Sequence, residues 1–468
     1  MKRELGRFER ALVISDQHAP FHIVSVLRLE NAPPPHILRQ SLKVLQSRHP
    51  FLRVRLLKEK GRYYFAGLVD PGLPFHVLPR WNDEHWMPVA EVELGTRIDA
   101  RSGPLFRCTY LYDPTHRRGE IILAFSHAIA DAFAVSRFIH DLLTTCASVL
   151  DGKTVSVYQL LPSPPAEFRF PSAFRGLRLT LHELRYALRL MADEAAYRLL
   201  TRGERIPPVH ASPAPGHLLS MQLSEEVTES LAQRLRKEGL TLNSALNAAM
   251  MIAVNRHLYA GRRVPMRTIT FANLRPYVKP ALDVENLACY VSLLRYTVRV
   301  EGGDDLWELA RRLHRKIDSS FKSGDEFAAA MLAEPLMQRV TRSKSFRMSA
   351  TALAYNGVVP VQPEYGEIKV AGLYGFVSVF DLGPEFYAQG HIFDNRLQLD
   401  FMYLDADMSR EEAKAIAEEI RSILQLSIRG ERERGPGTSE AMGAAVPPAE
   451  ESPEKTLPLD RDQPESSR

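Results

Sequence analysis

Cysteine is scarce in this chain. Its 468 residues include three, Cys108, Cys146 and Cys289, which lie far apart and form no CxxC pair. Neither a disulfide framework nor a cysteine-built zinc site is therefore expected, and no metal is assigned. Charge of one sign is lacking too: 60 Lys and Arg stand against 56 Asp and Glu, a formal net charge of +4. A nucleic-acid binder would show a concentrated basic face with aromatic residues between the charges, so no nucleic-acid partner is expected. No run approaches the ~18–20 apolar residues of a transmembrane segment. The amino terminus leads into mixed polar sequence and not into an apolar signal core. Together these absences read as a cytoplasmic protein. Several chemistries are missing as well. HELRY at 182–186 lacks the second histidine of a zinc HExxH, Ala147 stands where a P-loop ending in DGKT needs its first glycine, and there is no GxSxG.

What is present is ordinary globular composition, 45% hydrophobic and 25% charged, at a length suited to two or three domains. Residues 21–29 read as a strand with both faces covered. Pro33, Pro34 and Pro35 break the chain, and a helix follows with Ile37, Leu38, Leu42 and Leu45 at helical spacing, ended by Pro50. LRVRLL and RYYFAGL read as strands, and 101–113 pairs with 119–127 across a polar turn. Within that pair IILAF is a continuous apolar run, as in a strand buried on both faces. An amphipathic helix follows His127. A proline-rich connection occupies 162–172, a long helix runs over 173–201, and a second proline-rich loop over 206–215 marks a boundary. The second half reopens with a strand at HLLSMQL and two helices, the second N-capped by Thr241. Further strands are expected at MRTITFAN, YVSLLRYTV, FVSVF and LQLDFMYL, and a last helix at 409–426. The resulting division is 1–172, a helical crossover and linker at 173–215, 216–429, and a disordered tail at 430–468, where proline, glycine, serine and charge replace the apolar period. The arginines and leucines of the 173–201 helix read first as a solvated basic face, with peripheral contact to a membrane or a carrier protein as the other reading.

The informative segment is Ser126-His127-Ala128-Ile129-Ala130-Asp131-Ala132, an HxxxD between a buried strand and a helix. Such a turn presents side chains at the rim of a sheet, where a base can meet substrate, and Asp131 can cap the helix or pair with a cation. A structural histidine beside a capping aspartate satisfies the same pattern. The surroundings add RHPFLRVRL at 48–56, GPLFR at 103–107 and ANLRP at 272–276. In this order and spacing, over about residues 8–425, the set resembles the condensation-domain superfamily of HxxxD acyltransferases, which includes chloramphenicol acetyltransferase-like, plant alcohol and polyketide-associated acyltransferases. The fullest form of the motif is HHxxxDG; here Ser126 replaces the first histidine and Ala132 the glycine.

The resemblance implies an α/β protein of two similar chloramphenicol acetyltransferase-like lobes with an active-site channel between them. It implies that His127 is the general base and that Asp131 is structural, paired with Arg275. Asn356, Asn273 and Ser126 are candidate oxyanion or channel residues, although Asn356-Gly357 also suits a simple turn. No permanently bound cofactor is implied. The donor substrate is an acyl thioester on coenzyme A or on the phosphopantetheine of an acyl carrier protein, and the acceptor is an alcohol or amine. A catalytically degenerate module that binds a carrier protein or acyl chain is the alternative, supported by Ser126 and Ala132.

Overall fold

IILAF explains how the molecule is layered. In the computed structural model, which describes residues 1–201, 215–343 and 346–429, this run lies in the strand Arg118–Ser126. Ile121, Leu123 and Phe125 point into one apolar cluster, while Ile122 and Ala124 point into another. Side chains alternate along a strand, so a strand covered on both faces must be apolar at every position. His22–Glu30 behaves alike: Ile23, Leu27 and Leu29 face the first cluster, Val24 and Val26 the second.

These two strands are the centre of a six-stranded sheet ordered Glu364–Tyr365, Ile368–Val377, His22–Glu30, Arg118–Ser126, Phe106–Asp113 and Phe75–Pro79. The hairpin expected from 101–113 and 119–127 is present, with Phe106 opposite Phe125 and Asp113 opposite Arg118. A second six-stranded sheet runs Val291–Val300, Val264–Asn273, Ser349–Val358, Pro384–Phe393, Arg396–Leu404 and Gly216–Gln222. A small three-stranded sheet joins Lys2–Glu4, Arg62–Gly67 and Val54–Glu59. The helix Ala132–Leu150 lays Ala134, Val135, Phe138, Ile139, Leu142, Leu143 and Cys146 on the first core. Helices Glu225–Glu238, Leu242–Leu258, Leu306–Ser323 and Arg410–Arg429 cover the second sheet. A further cluster unites the sheets, for Val24, Ile122 and Ala124 share it with Leu218, Ile269, Ala352 and Met402. Each such large side chain withdrawn from water contributes about 1.5–3 kcal/mol.

Several expectations need correction. Division at 172 and 216 follows chain order but not the sheets, because Ile368–Val377 pairs antiparallel with His22–Glu30 from Ile23 to Glu30. Residues Met1–Ile428 accordingly form one compact unit. Only Phe376 and Val377 of FVSVF lie in a strand. Asn356-Gly357 is no hairpin turn: it sits inside Ser349–Val358, where the register to the neighbouring strand shifts between Tyr355 and Val358, and Gly357 takes a φ of 70°. The extra residues of a bulge need a left-handed position, which glycine supplies without strain. The long helix spans Gly176–Leu200. The proline-rich loop at 206–215, except Pro215, and the tail at 430–468 lie outside the described residues. Ala132–Leu150 is also long and apolar enough to cross a membrane, but half of it is buried inside the fold, as a core helix is.

Two of the short motifs have a plain structural explanation. Gly103 of GPLFR has a φ of 63°, and a Cβ there would meet the Val54 carbonyl oxygen at 2.5 Å. Only glycine allows the chain to pass so close. In the RHP segment His49 is buried, and burial pushes its imidazole down to about 3. It stays neutral in the core, beside Phe138.

Candidate active site

The motif strand stops at Ser126, whose N–H donates to the Leu105 carbonyl at 2.9 Å and whose carbonyl accepts from Ile129 at 3.0 Å. This tight turn leaves His127 beyond the sheet and starts the helix at Ala132. The helix begins there because Asp131, in extended conformation, caps it: Oδ1 accepts from the Ala134 N–H at 3.0 Å. Ala132 is itself helical and does not take a positive φ, so replacing the motif's glycine imposes no left-handed strain here.

His127 retains some accessible surface, yet enough protein surrounds it for burial to hold its pKa below the ordinary histidine value, against backbone hydrogen bonding and Asp131, which act in the opposite sense. It therefore occupies a recess. Its ring stacks on Phe21, centroids 5.4 Å apart at 16°. Nδ1 lies 3.1 Å from the Ala130 carbonyl oxygen. A carbonyl only accepts, so this contact assigns the proton to Nδ1 and the lone pair to Nε2.

Asp131 does more than cap. Its Oδ2 accepts from Arg275 Nη1 at 2.6 Å and from the Tyr290 N–H at 2.8 Å, and the two charged side chains are 11% (Arg275) and 7% (Asp131) exposed. Arg275 comes from the loop after Val264–Asn273, so the pair ties the motif turn of the first sheet to the second. Charge-assisted bonds of this length are the strong ones. Arg275 Nη2 also donates to the Ala288 carbonyl at 2.9 Å, and its guanidinium carbon lies 4.8 Å from the centre of the Phe133 ring.

One consequence was not visible in the sequence. Residues 288–290 are held at both ends, Ala288 by Arg275 and Tyr290 by Asp131, which presents Cys289 to the imidazole, Sγ 3.7 Å from Nδ1. No local motif marks Cys289, Tyr290 or Phe21; their distance along the chain from His127 hides them. Asn273, although exposed, accepts from the Arg275 N–H at 3.0 Å and so shapes the loop that delivers the arginine. Asn356 is partly buried, and among the described residues no hydrogen bond joins it to His127, Asp131 or Arg275. No group of three or more His, Cys, Asp or Glu among the described residues is placed to hold a metal ion.

Cys108, Cys146 and Cys289 are free and buried. Burial pushes the Cys146 thiol up to about 12 and the other two well above the ordinary value. A protonated, enclosed thiol is inert. Native protein treated with iodoacetamide at neutral pH should therefore take up no label by mass spectrometry, and urea-unfolded protein should take up all three. Label on Cys289 in the native protein would mean that solvent reaches the back of His127.

An HxxxD turn between a buried strand and a helix, locked by an arginine from a second sheet, stands here in a fold like that of solved acyltransferase and condensation-type domains. Residues 213–388 match the family described as phthiocerol/phthiodiolone dimycocerosyl transferase C-terminus. No curated protein matches the chain. Among solved structures, polyketide synthase associated protein 5 from Mycobacterium tuberculosis superposes with a TM-score of 0.68 at 15% identity, over 92% of this chain and 98% of that one. Trichothecene 15-O-acetyltransferase from Fusarium sporotrichioides gives 0.73 at 14% identity, over 91% and 95%. The starter condensation domain of rhizomide synthetase in complex with C8-CoA gives 0.63 at 14%, over 92% and 95%. At these identities the likeness is one of fold.

Proposed function

We propose that the chain is an acyltransferase that moves an acyl group from a coenzyme A or carrier-protein thioester to an alcohol or amine, with His127 as general base. The observation that carries this reading is the state of the imidazole: recessed, neutral, and fixed by its Nδ1 contact so that Nε2 is the basic nitrogen. A positioned base of that kind is what the attack of a hydroxyl on a thioester needs. The acceptor's proton passes to Nε2 as its oxygen or nitrogen bonds to the carbonyl carbon. The tetrahedral adduct then collapses, the C–S bond breaks, and the proton on Nε2 goes to the departing sulfur. No acyl-enzyme forms. Asp131 and Arg275 fix the turn, and in this reading donor and acceptor reach His127 from opposite faces through a channel.

An ester product on a lipid or polyketide skeleton is the preferred subclass, in keeping with the family matched by residues 213–388. Thiol release from a series of acyl-CoA and acyl-carrier donors, with and without added alcohols and amines, tests the proposal. Acceptor-dependent release with at least one pair is the expected result. Tight binding of a carrier protein with no turnover on any donor would replace it with the degenerate module.

A further inference from the structure

The helix Gly176–Leu200 is apolar on two opposite faces, of which the fold uses one. Leu179 and Tyr186 are buried, and Tyr186 packs with Ala328 and Ala329. Leu177, Leu181, Leu184, Leu188 and Met191 are between 54% and 76% exposed. At ~100° per residue these five fall within a band about 80° wide, opposite the buried pair, and they run for about 21 Å along the axis. Single exposed leucines are normal on a protein surface, but a continuous stripe is not. Stability of the helix does not need the stripe, since the inner face is anchored by His182 on the Gly324 carbonyl, Arg189 on Asp325 and Tyr197 beneath Arg267.

The charges of this helix are sorted in the same way. All three of its acids are drawn to arginines of the body: Glu183 to Arg7, Asp193 to Arg267 and Arg295, and Glu194 to Arg267. Arg178 and Arg185 are exposed on one flank of the stripe, and neither forms an ion pair among the described residues. The outward surface is thus apolar along the middle and cationic along one edge. A second copy docked through the same face would bring an equally cationic edge. We propose that this face docks on an anionic lipid bilayer, the helix lying in the interface with its leucines among the acyl chains and Arg178 and Arg185 at the headgroups. This inference stands apart from the acyl-transfer reading, and its test needs no substrate.

The test is flotation of the full chain with phosphatidylcholine vesicles, with and without phosphatidylglycerol. Wild type should float with the anionic vesicles, and high salt should weaken the association. Leu184→Glu with Leu188→Glu should reduce partitioning more than tenfold at an unchanged melting temperature. Arg178→Gln with Arg185→Gln should reduce it about 25-fold on anionic vesicles, at roughly fivefold per arginine near a charged surface, and leave the weak binding to neutral vesicles unchanged. Val69→Glu, at an exposed position outside the helix, should behave as wild type. Failure of wild type to float, or undiminished flotation of the leucine variant, overturns the proposal. So does a wild-type dimer in solution that the leucine variant abolishes while vesicles bind neither protein, which assigns the face to a second copy.

Discussion

His127→Ala should turn over thioester about 10²–10⁴-fold more slowly than wild type, the usual contribution of a positioned general base. Its melting temperature should stay close to the wild-type value, because the imidazole keeps solvent-accessible surface and its hydrogen bond is to a carbonyl within its own turn. Donor binding should also be nearly unchanged, since the proposed base works on the acceptor and not on the thioester. The pH profile carries the same assignment. Burial lowers the His127 pKa, and the proposed general base works as the neutral imidazole. The acidic limb of the kcat/KM profile should therefore fall at a pH below the ordinary histidine value of 6.5, and that limb should vanish in the variant. Near-normal turnover by folded His127→Ala protein would remove the catalytic assignment.

The ion pair should have the largest effect on stability. Removing one partner of a buried pair leaves the other charge uncompensated and costs about 3–5 kcal/mol. Asp131→Ala is expected to be the worse of the two truncations. It strands the Arg275 guanidinium and also the backbone N–H groups of Ala134 and Tyr290, which Asp131 satisfies. Arg275→Ala leaves Asp131 with both of those donors. The double variant should cost less than the sum of the two, and the deficit measures the coupling. Both variants should also lose activity, because residues 288–290 and the motif turn are released together. Urea unfolding of the three proteins decides the matter. Losses within ~0.5 kcal/mol for both single variants, the range of ordinary surface substitutions, would show that the pair does not hold the site.

Structure is most legible in the sequence where one local pattern has one physical meaning. The continuous apolar run before His127, the prolines around the helix Pro35–Arg48 and Thr241 as a cap all mark real boundaries. Neither Pro384–Phe393 nor Ser349–Val358 carries a clear strand pattern in the sequence. In Pro384–Phe393, Glu385, Gln389 and His391 are buried, so a central strand is interrupted by polar residues. Tyr259 donates to Glu385 from 126 residues away. Ser349–Val358 is built from small residues and ends in a bulge, and small residues carry little periodic signal. At the site, His127 and Asp131 could be seen because they share one turn. Arg275 lies 144 residues from Asp131 and came into view only through the family likeness of ANLRP. Cys289 had no signal at all, since its position follows from two hydrogen bonds that its neighbours make.

The shared strand also sets a timetable for synthesis. His22–Glu30 is hydrogen-bonded on one side by Arg118–Ser126 and on the other by Ile368–Val377. A ribosome delivers about 5–20 residues per second. The first side can thus be paired within roughly 5–20 s, whereas the second stays bare for roughly 20–70 s at that rate. Throughout that interval the nascent chain carries an open, apolar strand edge, the feature that folded proteins take care to cover. Nascent chains halted before residue 368 should consequently be the species that chaperones hold and that aggregate on release, while a chain extended past Val377 can close its own sheet.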